Sequence, residues 1–393
     1  MEVTRNRVRG LLTVALLSGC YSFAYAQLQV GHQSSPPVPN PPLAEPRESA
    51  TYLDQQAEQE LQRGTALTRN GHFAEAIPHL ITAHGRVTNE YAASMNLAIC
   101  YIATDQPKRA LPILNNLRAT GHDTAAVNNL LAQAYIGDSE SQEGFDALRR
   151  AASISPTNEK LYMFVADACM GKQAYALGMQ VVELGLKNLP QSARLHFERA
   201  MFLSLLDRFD DAKPDFALAR NLAPGSDIAY LASVQQAMLD GNVPETIRIA
   251  REGIKRGDEG FLLLTLLGEA LLRSGVAPGQ PEFEEARTAL EKSVAERANY
   301  PSSQLSLGKL YLMDNRGTDA ITHLEIAGQL SPNNPAVYSN LAIAYRKHAD
   351  LLKAQKALET LQRLNSAQAE KIRTAPGESK ASYATSESTD QHH

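Results

Sequence analysis

The chain has 393 residues, 44% of them hydrophobic and 21% charged, with 38 basic against 43 acidic side chains. That is the balance of a chain able to bury a core, and it excludes a low-complexity or disordered polymer. The net charge of −5 becomes −7 when residues 1–26, with three arginines and one glutamate, are set aside, so no nucleic-acid partner is predicted.

Arg5, Arg7 and Arg9 precede an apolar run at residues 11–17 that is too short to span a bilayer. This is the pattern of an export signal, and two cleavage readings stand. Ala24-Tyr25-Ala26 carries small residues where a general signal peptidase reads them, which makes residues 1–26 the signal. Leu17-Ser18-Gly19-Cys20 resembles a bacterial lipobox, which makes residues 1–19 the signal and Cys20 a lipidated mature terminus. Either reading predicts an exported, periplasmic or otherwise extracytoplasmic chain, attached to a membrane only through a lipid at Cys20. Residues 27–56 follow, with six prolines between Pro36 and Pro46. Proline at that density prevents a helix, so this stretch is predicted to be an extended spacer.

From residue 57 to residue 365 the chain repeats every 34 residues, in nine units beginning at Ala57, Tyr91, Ala125, Glu159, Ala193, Asp227, Phe261, Pro301 and Pro335. Position 8 of the unit is Gly64, Ala98, Ala132, Ala166, Ala200, Val234, Gly268, Gly308 and Ala342, and position 20 is equally small except at Thr246. Position 24 is large and apolar except at Ala250. Small residues let two helices approach closely, and large ones fill the layer between successive pairs. Pro156, Pro190, Pro224 and Pro332 stand at position 32, where they would end a second helix. Gly71, Asp105, Asp207, Gly241, Gly275 and Asn315 at position 15 supply a bend between the helices. A helical pair of this size cannot cover both of its faces, so the units must stack as an all-α solenoid. The seventh unit carries six extra residues around 276–281, read as a tolerated loop insertion, and the sixth has the thinnest packing positions.

These residues resemble the tetratricopeptide repeat family. The likeness is carried by Leu307-Gly308-x-x-Tyr311, by Ala320-x-x-x-Leu324-x-x-Ala327 with Pro332, and by Gly64, Ala76 and Ala83. Position 4 departs from the family, since the chain has no tryptophan and places Tyr162, Tyr230 and Tyr338 there. The resemblance implies a right-handed superhelix of about nine helix-turn-helix repeats whose first helices line a concave groove for a protein or peptide partner. It implies inner positions near 2, 5, 6, 9, 12 and 13 of each unit. Six of the eight methionines fall on them (Met95, Met163, Met170, Met201, Met238 and Met313), together with Phe164 and Phe197. Asn129, Gln133, Lys160, Asp167, Arg194, Glu198, Gln235 and Glu269 are interspersed. Methionine adapts to irregular apolar surfaces, so Asn129, Gln133, Met163, Phe164, Asp167, Met170, Arg194, Phe197, Met201, Gln235 and Met238 are the candidate partner-binding residues. The competing reading packs the same Met and Phe side chains between adjacent helices. Two specialisations of the family are not matched. The paired basic residues of a terminal-carboxylate clamp are absent among Thr65, Arg69, Asn96, Asn129 and Gln133, and only Asn96 and Asn340 represent a position-6 asparagine ladder.

Motifs with chemistry of their own are missing: HExxH, paired CxxC, a phosphate-binding glycine loop and GxSxG do not occur. No catalytic residue, metal or cofactor is predicted. Asp207, Asp210, Asp211 and Asp215 look like an acidic cluster, but Asp207 falls in the turn and Asp210 and Asp211 at a helix start, so capping is read rather than a calcium site. Arg199, at the normally apolar position 7, is left between pairing with a neighbouring carboxylate and pointing into the groove. Arg248, Arg251, Lys255 and Arg256 share one helix face with Glu245 and Glu252, the pattern of a solvated surface. Cys100 and Cys169 lie two units apart, too far for a disulfide, and read as small core residues. Residues 366–393, rich in Ser, Thr and Glu, are predicted to form a polar disordered tail, with His392 and His393 inert. The whole predicts an exported, non-enzymatic scaffold of the cell envelope, or alternatively an accessory subunit of an envelope enzyme or of a secretion or assembly complex.

Overall fold

The computed structural model describes residues 48–374, and every element among them is an α-helix. The first compact unit, ending at Ser302, stacks seven hairpins. They are α1 (Glu48–Arg69) with α2 (Phe73–Ala83), α3 (Glu90–Ala103) with α4 (Pro107–Ala119), α5 (Ala125–Gly137) with α6 (Ser141–Ile154), and α7 (Glu159–Gly171) with α8 (Tyr175–Asn188). Then come α9 (Ala193–Leu205) with α10 (Phe209–Leu222), α11 (Asp227–Leu239) with α12 (Val243–Lys255), and α13 (Phe261–Arg273) with α14 (Pro281–Glu296). The second compact unit begins at Ser303, within α15 (Pro301–Met313), and continues through α16 (Gly317–Leu330), α17 (Pro335–Lys347) and α18 (Leu351–Thr374). The export signal, Cys20, the proline-rich run through Pro46 and residues 375–393 lie outside the described residues.

Two boundaries differ from the sequence expectation. Helix α1 starts at Glu48, inside the stretch read as spacer, because the proline run ends at Pro46 and no Pro or Gly follows until Gly64. Helix α18 runs to Thr374, beyond the expected end at residue 365, and stops just ahead of Pro376, which disfavours helical geometry in the residue before it.

The turn at position 15 is the most uniform feature of the fold. All nine of its residues have positive φ, from Gly71 (81°) through Asp105 (55°) and Asp207 (59°) to Ala349 (60°). The reason is a repeated hydrogen bond: the amide of position 16 donates to the carbonyl of position 11, as in His72 to Leu67 (2.9 Å), Gln106 to Tyr101 (2.8 Å) and Arg208 to Leu203 (2.9 Å). This closure of a helix end requires a left-handed residue between the two partners. Ser139, Gln173 and Ala349 adopt it without the chemistry that favours it, so the motif dictates the conformation and the residue only sets its cost.

Position 24 fills the layer: Leu80, Leu114, Leu148, Val182, Leu290 and Leu324 are fully buried, and Phe216 nearly so. In three units the leucine seats against a position-8 glycine, where an added Cβ would come within 2.6 Å (Gly64), 2.5 Å (Gly268) and 2.6 Å (Gly308) of the leucine Cγ. Tyr162 replaces the tryptophan usual at position 4; it is fully buried, and its hydroxyl donates to the Pro156 carbonyl at 2.8 Å and accepts from Asn188 Nδ2 at 2.8 Å. Where the fourth and fifth hairpins meet, Phe202 occupies the space left by Gly178, and a Cβ on that glycine would lie 2.2 Å from the ring. Gly178→Ala is therefore expected to cost about 1–3 kcal/mol through overpacking. Adding Phe202→Leu should recover most of the loss, which urea unfolding of the single and double variants will show.

In the first compact unit the two rows of helices are not equivalent. Consecutive first helices touch throughout, α1 on α3 and so on to α11 on α13, whereas only α6 and α8 approach comparably among the second helices. The first helices thus form the tighter, inner row of this stack. Lys172, at the turn of the fourth hairpin, even reaches Asp105 at the turn of the second (2.7 Å). The thin sixth hairpin leaves an open cleft of about 800 Å³, lined in part by Tyr230, Gln236, Arg248 and Ile249.

Candidate functional site

The inner row carries the residues read from the sequence as a partner-binding strip, but it does not expose most of them. Met170, Phe197, Met201 and Met238 are buried, at 3–7% exposure. Phe197 meets Phe216 of α10 edge-on, with ring centroids 5.8 Å apart, so position 5 points here toward the paired helix. Asn129 and Gln133 are buried as well. The Asn129 amide donates to the Leu161 carbonyl of α7 at 2.7 Å, and Gln133 donates to Asn129 Oδ1 at 2.8 Å, a polar staple between successive inner helices. Gln235 is buried too. For these residues the packing reading is the one the geometry favours, because the inner helices lie close enough to cover positions 5, 9 and 12.

What stays accessible is narrower. Met163, Phe164 and Asp167 on α7 are half-buried, and Arg194 at the start of α9 is exposed, its guanidinium 3.5 Å from Asp227. Between them stands Glu198, in register with Phe164 at position 6. It is only 9% exposed, and no hydrogen-bond donor reaches its carboxyl group among the described residues. Burial pushes the Glu198 carboxyl up to about 7, against the opposing charge of Arg194.

Arg199 is settled by its surroundings. Its Nε and Nη2 donate to the two oxygens of Asp215 at 2.7 and 2.6 Å, and His196 Nδ1 lies 2.8 Å from the same carboxylate. His196 Nε2 faces the Pro190 carbonyl at 3.1 Å. Asp215 is 2% exposed, so it is the centre of a core ion pair rather than a helix-start carboxylate, whereas Asp210 and Asp211 do stand in the first turn of α10. The arginine stripe of α12 is neutralised in place: Arg248 pairs with Glu245 and Glu252, Arg256 with Glu252, and Arg251 with Glu285. Cys100 and Cys169 are separate buried thiols, pushed by burial up to about 11 and about 12. No group of three or more His, Cys, Asp or Glu side chains is placed to hold a metal among the described residues, and no described helix is long and apolar enough to cross a membrane.

A family model described as a tetratricopeptide repeat matches residues 67–134, from within α1 to within α5. The hairpins of the match share their period, turn and packing positions with the rest of the described chain. The matched hairpins are tetratricopeptide repeats. Among curated relatives, anaphase-promoting complex subunit 7 of Mus musculus is 26% identical over 165 residues, 42% of this chain and 29% of the relative. The chain thus spans about three-tenths of the length of the relative it matches. Among solved structures, the APC/C hetero-tetramer Cut9–Hcn1 is 15% identical with a TM-score of 0.49, over 81% of this chain and 63% of that one. A tetratricopeptide repeat protein from Parabacteroides merdae is 15% identical with a TM-score of 0.47, over 65% of this chain and 98% of that one.

The repeats hide two features from a reading of positions alone. Asp215 lies 16 residues from Arg199 and 19 from His196, one helix back along the hairpin, so its partners are invisible to local spacing. Glu198 reads as one more polar residue among many; only a polar side chain at position 6, where Leu130, Phe164, Ala232 and Leu266 stand in nearby units, could have marked it.

Proposed function

We propose that this chain is an exported, non-enzymatic scaffold that holds a segment of another polypeptide along the inner row of its third to sixth repeats, as an adaptor of the cell envelope. The observation that carries the binding role is the accessible strip on α7 and α9. Two adjacent large apolar side chains, Met163 and Phe164, are left partly exposed on the inner row, on neighbouring helices that also carry the polar groups of Asp167, Arg194 and Glu198. Adaptable apolar side chains rimmed by polar ones suit a polypeptide partner. Export rests on Arg5, Arg7, Arg9 and the apolar run at 11–17, and the intact mass of the mature chain distinguishes a start at Gln27 from one at a lipidated Cys20.

The test places charge at the two apolar positions of the strip that remain partly exposed. Met163→Glu with Phe164→Glu is expected to lower partner capture from envelope extract at least about tenfold while leaving the unfolding transition nearly unchanged, as half-exposed positions allow. Phe197 and Met201 are unsuitable for this purpose, because a glutamate at either would be buried in the core. Capture that survives the double substitution would remove the inner row as the binding surface.

A further inference from the structure

Glu198 is a buried acidic side chain of the inner row for which no hydrogen bond is found among the described residues. A buried carboxyl group ordinarily collects two or three donors, and one without any costs the chain its desolvation. Asp215, only 17 residues away in sequence, shows what a completed site looks like in this protein, with Arg199 and His196 on its two oxygens. Glu198 has nothing comparable. Arg194, one helical turn earlier, acts on it through its charge, while its guanidinium is placed 3.5 Å from Asp227 of the next repeat.

The surroundings of Glu198 add a sign and a shape. On α7 and α9 position 2 is basic, with Lys160 and Arg194, both exposed, and each helix also carries an acidic group, Asp167 at position 9 and Glu198 at position 6. Phe164 holds on the neighbouring helix α7 the repeat position that Glu198 holds on α9, with Met163 next to it in sequence, and both are half-buried. A segment lying across this row would thus meet apolar contact on α7 and a carboxyl group lacking a donor on α9.

We propose that the bound segment carries a lysine or arginine flanked by large apolar residues, and that this basic side chain completes the hydrogen bonding of Glu198 while its apolar neighbours cover Met163 and Phe164. The inference rests on the inner row being the binding surface and adds the chemistry of what it selects. An anionic segment would set a second carboxylate against positions 6 and 9, and a wholly apolar one would seal Glu198 from water without giving it a donor. Both are disfavoured by the same desolvation that makes a cation welcome.

The probe is an immobilised array of short Leu- and Phe-containing peptides, differing only at a central residue that is lysine, arginine, norleucine or glutamate, and incubated with the mature chain. Lysine and arginine members are expected to bind at least about tenfold more tightly than their norleucine counterparts, with glutamate weakest. Glu198→Gln, which keeps the side-chain shape, is expected to erase the difference between lysine and norleucine. Equal binding of lysine and norleucine members by the natural chain overturns the proposal without any variant being needed, as does a lysine preference that survives Glu198→Gln. In either case, binding that is still lost in Met163→Glu with Phe164→Glu leaves the inner row standing as the surface. Binding to no peptide at all, or binding indifferent to that double substitution, overturns both.

Discussion

Asp215→Ala is expected to destabilise the fourth to sixth repeats by about 3–5 kcal/mol, the range for breaking a buried ion pair by removing one partner. The carboxylate is almost fully buried and accepts both nitrogens of the Arg199 fork as well as facing His196, so its removal strands a guanidinium and an imidazole against an apolar layer. Arg199 is partly solvated, with 31% of its side chain exposed, and can turn outward; His196, at 10%, cannot. Urea unfolding followed by circular dichroism measures the size of the loss. Amide exchange should locate it in α9 and α10, because a stack of repeats transmits a local defect chiefly to its neighbours. The control replaces the whole group: Asp215→Leu with Arg199→Met and His196→Leu should recover most of the stability, as apolar packing commonly matches a buried ionic cluster. A loss below about 1 kcal/mol in Asp215→Ala would mean that water reaches the cluster and that the pair contributes no more than a surface one.

The contrast between Asp215 and its neighbours shows what the sequence could and could not disclose. The 34-residue period, the small residues at 8 and 20, the proline after the second helix and the bend at 15 are all legible, because each is a backbone or volume requirement that recurs from unit to unit. Recurrence even outweighs identity: Gln173 and Ala349 take the left-handed turn that glycine takes elsewhere. What one unit alone possesses is not legible in this way. The partners of Asp215 sit on the preceding helix, and the adjacent Asp210 and Asp211 supply a convincing local reason for an acidic cluster that does not extend to it. The methionines show a related limit. The repeat register puts positions 5, 9 and 12 on the inner face and leaves open whether they line a groove or pack between helices, since how far they are covered depends on the spacing between inner helices. Close approach buries Met170, Met201 and Met238 and leaves Met163 at the edge.

Glu198→Gln is expected to make the free chain more stable above neutral pH, and to lessen the fall in stability with pH that the natural chain shows. Burial holds the folded-state pKa of Glu198 at about 7, above the ordinary 4.5, with Arg194 only partly offsetting the effect. Between those two values the folded chain keeps a proton that the unfolded chain has released, so stability falls as pH rises through the window and levels off above about 7. At roughly 1.4 kcal/mol for each unit of pKa, the whole fall is on the order of 3 kcal/mol. Glutamine does not titrate, so urea midpoints for Glu198→Gln should fall less steeply across this window, the remaining slope coming from groups such as Asp258 and Glu296 whose carboxyls burial also raises, and should exceed those of the natural chain at its alkaline end. Parallel curves for the two proteins would refute the burial of this carboxyl group as the source of the slope. A lysine-containing peptide bound to the natural chain should flatten the same slope, because a donor on the carboxylate supplies what desolvation removed; its norleucine counterpart should not. The side chain that weakens the empty stack would then be the one that recognises what fills it.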